Sequence, residues 1–79
     1  MSKPLGYEPI HESHLKKNAN YFLKIKGWGE GLVQVHEITM HGTNVEVVEG
    51  GFDTPLKKVR QRQVFSVPNG VGQFYEAAA

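Results

Sequence analysis

The sequence predicts a mostly β chain folded as one small five-stranded barrel, preceded by an N-terminal arm or short helix. Three observations carry this. Between Tyr21 and Pro68, short β-branched and aromatic runs alternate with glycine turns. No apolar stripe of helical period crosses that block, and the twenty residues ahead of it hold few large apolar groups. The chain of 79 residues is one domain, near the size at which a single core gives only a few kcal/mol of net stability.

Residues 1–20 read as the arm. Pro9 suits the first position of a short helix running to Lys17, with Glu8 and Glu12 early and Lys16 and Lys17 late to match the helix dipole. Ile10 and Leu15 stand five apart and make no helical stripe, so an extended arm fits equally. Residues 21–76 form the barrel. The closing Ala77-Ala78-Ala79 reads as a vector-derived tail outside the fold.

From Tyr21 the period changes to two, with Tyr21, Leu23 and Ile25 alternating with Phe22, Lys24 and Lys26 as in a half-buried strand. Gly27 to Gly31 is a loop carrying the only tryptophan, Trp28. Leu32 to Met40 is the second strand, and a two-residue turn at His41-Gly42 leads into a third, Thr43 to Glu49. A regular hairpin there sets Glu37 opposite Glu46, two like charges in contact. A bulge near His36-Glu37 relieves that clash and lets Val33, Val35, Ile38 and Met40 share the core face, which strict alternation forbids. Gly50 to Pro55 is a second loop, Leu56 to Val67 supplies one or two strands, and Val71 to Tyr75 supplies the last after the Pro68-Asn69-Gly70 turn. Five short strands in so little chain suit an SH3-like barrel better than an OB-like one, which needs more chain and a helix; a small α+β fold is the alternative.

Composition excludes several functions. Cysteine is absent, so disulfides, thiolate metal sites and cysteine nucleophiles are ruled out. Nine Lys and Arg against eight Asp and Glu leave no surface built wholly for nucleic acid. No apolar run approaches the ~18 residues that span a bilayer, and no signal-type stretch follows Met1, so a soluble, cytoplasmic protein is expected.

The order of Trp28, Val35-His36-Glu37-Ile38, His41-Gly42, Val45-Glu46-Val47, Gly50-Gly51-Phe52-Asp53 and Val67-Pro68 resembles the Tudor branch of SH3-like barrels. The resemblance spans Trp28 to Pro68 and implies a ligand-docking barrel with an aromatic loop end. One departure limits it: the usual Asp-aromatic-Gly loop appears here as Gly51-Phe52-Asp53, so a cage for methylated ligands is not implied.

No catalytic or metal pattern emerges. His36 and His41 are five apart on a strand and point to opposite faces, and His11 with His14 lacks a placed third ligand. Neither a metal nor a cofactor is expected. Two handles remain. Lys57, Lys58, Arg60 and Arg62 fall within six residues, and on one strand Lys58, Arg60 and Arg62 share a face. Tyr21, Trp28 and Phe52 sit at strand starts and loops, where such barrels present a groove. The expected function is therefore a non-enzymatic binding module that docks a protein partner or its own copy. Tyr21, Trp28 and Phe52 serve as anchors, and Lys58, Arg60 and Arg62 orient the partner. No small-molecule substrate and no membrane is expected among its partners. So short a chain, with no linker to a second domain, resembles the accessory proteins by which phages and mobile elements act on host machinery. The alternative is a nucleic-acid-binding barrel that uses the basic strand 57–62, with rings stacking bases.

Overall fold

A computed structural model describes residues 4–78. The described chain is mostly strand: β1 Tyr7–Ile10, β2 Asn20–Ile25, β3 Gly29–Ile38, β4 Gly42–Asp53, β5 Lys58–Val59, β6 Val64–Pro68 and β7 Gln73–Ala77. All seven belong to one antiparallel sheet, in the order β1-β7-β2-β3-β4-β5, with β6 beside β5 along the same flank of β4. The expected closed five-stranded barrel is not what forms. The sheet has seven strands and two ends, β1 at one and β5 with β6 at the other.

The alternation in β2 folds as its period dictates: Tyr21, Leu23 and Ile25 are buried while Phe22 and Lys24 are half-buried on the other face. The same inner face collects Val33 and Val35 from β3, Val45, Val47 and Phe52 from β4, Val59, Phe65, Val67 and Phe74. One curled sheet thus wraps a single core, and each fully buried Val or Phe contributes roughly 1.5–3 kcal/mol of transfer energy. Gly31 of β3 faces Gly50 of β4. A Cβ at Gly31 would run into the Glu49 carbonyl, so the two backbones approach there as only glycine allows.

The bulge at His36 forms: Val35 faces Val45, Glu37 faces Asn44, and His36 is the unmatched residue between them. A second shift leaves Val48 unmatched opposite Leu32-Val33. Glu37 therefore never meets Glu46. Its carboxylate accepts from Asn44 Nδ2 at 3.4 Å, and His36 Nε2 reaches Glu46 Oε1 at 2.8 Å. Two details differ from expectation. The hairpin turn is Thr39 to Gly42 rather than His41-Gly42, held by Thr39 N–H donating to Gly42 C=O at 2.8 Å and by the Thr39 hydroxyl. That longer turn leaves Ile38 and Met40 on the outside, Met40 at 83% exposure, instead of in the core.

The candidate helix from Pro9 to Lys17 is a strand followed by one 3₁₀ turn, Glu12–His14. Pro9 lacks the N–H that an inner strand would use, and suits an outer one. Tyr7 packs its ring 5.9 Å from Phe22, and Ile10 packs against the core, which holds β1 on β7. Ala77 lies in β7 opposite Tyr7, and Ala78 N–H donates to Gly6 C=O at 2.8 Å. Ala77 thus belongs to the last strand and Ala78 is hydrogen-bonded to the chain ahead of β1, while Ala79 and Met1 to Lys3 lie outside the described residues.

Candidate functional site

Trp28 stands at the tip of the β2–β3 turn, where Gly27 (φ 83°) and Gly29 (φ 131°) supply the left-handed backbone that reverses the chain. Its backbone is fixed on both sides: the N–H donates to Ile25 C=O at 3.0 Å and the C=O accepts from Asp53 N–H at 2.7 Å. The half-buried ring packs 6.5 Å from Phe65 and walls a groove of about 420 Å³ with Thr54, Pro55, Leu56, Lys57, Ser66 and Pro68. The ring both packs against the core and lines the groove.

The far wall is the β4–β5 turn. Proline at its second position presets the bend, and Thr54 ties it shut: its N–H and its hydroxyl donate to Lys57 C=O at 2.9 and 2.8 Å. The hydroxyl also accepts from the N–H groups of Leu56 and Lys57. A turn so braced holds Leu56 in solvent at 95% exposure. Its side chain thus stands in water on a backbone already ordered, so docking there has no loop left to order.

The remaining expected site residues divide. Tyr21 is buried, its hydroxyl accepting from Lys16 N–H at 2.9 Å and its ring edge-on to Phe74. Phe52 is buried with its ring 5.0 Å from Phe65. Phe52 backs the Phe65 ring on which Trp28 packs, Tyr21 packs on Phe74 instead, and neither buried ring presents a face to a partner. Lys58, Arg60 and Arg62 are exposed, as is Lys57, and no ion pair engages any of them among the described residues. They do not form a strand face, however. β5 ends at Val59, and Arg60 to Gln63 is a turn closed by Gln63 N–H to Arg60 C=O at 3.0 Å and by Arg60 N–H to Gln63 Oε1 at 2.7 Å. Arg62 sits at φ 73° in a bulge, its N–H donating to Val47 C=O at 2.7 Å while Gln63 C=O accepts from Val47 N–H at 3.0 Å. The first residue of such a bulge is normally glycine.

Two further hollows flank this site. One of about 620 Å³ shares Trp28 and runs between Lys24 to Glu30 and Gly70 to Gln73; its walls include Gly27, Gly29, Gly70 and Gly72, and Lys24 Nζ lies 3.7 Å from Glu30 Oε1. The other, about 360 Å³, lies between His11 to Ser13, Ile38 to Met40 and Asn69. There Glu12 Oε1 accepts from Gly70 N–H at 2.9 Å, stitching the arm to the turn before β7. Among the described residues no three His, Asp or Glu side chains converge, and no helix is long and apolar enough to cross a membrane.

Pro55, Leu56, Phe65 and Pro68 are the groove residues that the sequence reading passed over. Their signal was present in Thr54-Pro55-Leu56-Lys57: proline at the second position of a tight turn leaves the next residue at the tip, where no core can cover it. Comparison with protein-family models, curated proteins and solved structures finds no match to this chain.

Proposed function

We propose that the chain is a non-enzymatic binding module that docks a protein partner through the Trp28–Leu56 groove, with the basic run from Lys57 to Arg62 orienting it. One observation carries the reading: a large apolar side chain presented to solvent by a braced turn at the mouth of an aromatic-walled groove. Trp28 supplies apolar area with a polar indole edge, and unpaired cations beside it favour an acidic partner and speed encounter. Strands β7, β2, β3, β4 and β6 follow one another as a curled meander around one core, which supports an SH3-like reading of the fold with β1 added outside β7. An accessory role on host machinery of the phage or mobile-element kind suits a module of this size.

The test is affinity capture from the source cell with nuclease-treated controls, using wild type and Leu56→Ser. Leu56 makes no core contact, so the variant keeps its stability within about 0.5 kcal/mol. A protein captured by wild type and lost with Leu56→Ser is the expected result. Capture that survives the substitution, or that disappears with nuclease, defeats the reading.

A further inference from the structure

The two ends of the sheet are finished differently. On β1, Ala78 N–H donates to Gly6 C=O, and the antiparallel ladder then alternates so that Tyr7 and Pro9 turn their backbone groups outward. Tyr7 N–H is already taken by Pro4 C=O at 3.2 Å, and Pro9 has none. That edge offers no donor, which is how native sheets close an edge. On β6, Val47 N–H donates to Gln63 C=O, and counting on from there Phe65 and Val67 face β4 while Val64 and Ser66 face away. No strand pairs with β6 on that side, and among the described residues the N–H and C=O groups of Val64 and Ser66 have no backbone partner.

This open stretch borders the groove, since Phe65, Ser66 and Pro68 line it. It also begins at the bulge where Arg62 holds a left-handed backbone, with Arg60 in the adjoining turn. Strained conformations held by the surrounding fold are drawn to ligand sites. From the joint placement of free edge, apolar groove and unpaired cations, we infer that β6 binds an extended acidic peptide segment by strand addition. This rests on the docking reading above and specifies its partner. The added strand runs antiparallel to β6, hydrogen-bonded at Val64 and Ser66. It sets apolar side chains against Trp28 and Leu56 and its acidic C-terminal half beside Arg62 and Arg60. An acidic peptide suits the site better than a second copy paired β6 to β6, because the segment such a copy lays beside these cations holds no acid between Asp53 and Glu76. The open stretch is also only two outward residues long, bounded by the bulge at Arg62 and by Pro68.

The test uses a fluorescein-labelled peptide, Thr-Val-Thr-Val-Thr-Glu-Asp-Glu, and a version with lysine in place of each acid, titrated by fluorescence anisotropy. Ser66→Pro removes one outward N–H and leaves every ladder bond to β4 intact, so amide exchange of β4 should match wild type. The expected result is binding of the acidic peptide by wild type, weakened at least about tenfold by Ser66→Pro and by charge reversal of the peptide. If proline disturbs the fold, chemical synthesis with an N-methylated Val64 amide removes the other donor and should weaken binding similarly. No binding by wild type up to about 1 mM overturns the inference, as does equal binding of the lysine peptide. A folded Ser66→Pro that binds as wild type does, while Leu56→Ser loses binding, overturns strand addition and leaves the groove reading standing. A dimer in sedimentation that Ser66→Pro abolishes, with no peptide bound, assigns the edge to a second copy and overturns it too.

Discussion

Arg62 shows how one residue can misdirect a reading of its neighbours. Lys57, Lys58, Val59, Arg60 and Arg62 look like a charged edge strand, because nothing in an arginine announces a positive φ. The chain bends there regardless: the strand must shift its pairing between Phe52 and Val47, and the bulge falls where Arg62 and Gln63 both address Val47. A left-handed backbone costs a residue with a Cβ about 1 kcal/mol relative to glycine. Arg62→Gly should therefore stabilise the fold by about 1 kcal/mol in urea denaturation, less the entropy that glycine restores to the unfolded chain. Destabilisation would mean that the arginine side chain makes a compensating contact. Tyr21 and Phe52 teach a related lesson. Aromatic residues at loop boundaries look like anchors, yet Tyr21 near the start of β2 and Phe52 near the end of β4 are already inside.

The strands of the central meander were largely legible because their period of two survives in the sequence, and the bulge at His36 was legible because a regular register would set Glu37 against Glu46; the companion expectation, that the bulge brings Ile38 and Met40 inward, fails because both stay exposed. β1 was not. Tyr7-Glu8-Pro9-Ile10 carries a proline and only two apolar-faced residues, and it is a strand because β7, formed at the other end of the chain, leaves an edge that needs covering. Tertiary demand of this kind leaves no local signature. Pro9 then becomes the protective residue of that edge. Pro9→Val would add an outward N–H and turn β1 into a template for pairing, so sedimentation velocity should show more self-association than wild type at equal concentration. An unchanged distribution would show that Pro9 is not what keeps the edge closed.

As a whole the molecule depends on one core without disulfides, and its inner face draws on β2, β3, β4, β5, β6 and β7 together. Phe74 is fully buried and touches the Tyr21 ring edge-on. Phe74→Ala should cost about 3–5 kcal/mol, a large share of the ~5–15 kcal/mol available to a domain, and thermal melting followed by circular dichroism should show a much lowered midpoint with a single transition. Two separate transitions would mean that the two ends of the curl fold independently. The groove lies outside this cooperative unit in one respect. Leu56 and the cations from Lys57 to Arg62 project from it, and they can change without touching the core.

The unequal finish of the two sheet ends fixes the stoichiometry of anything built on them. A sheet that can accept a strand at both ends can pass the favour along, copy to copy, into a ring or a fibre. Here growth has one starting point and no continuation, because whatever pairs with β6 finds β1 on the far side without a donor to offer. Under the strand addition proposed above, the complex is one to one and stops, a chain terminator rather than a link.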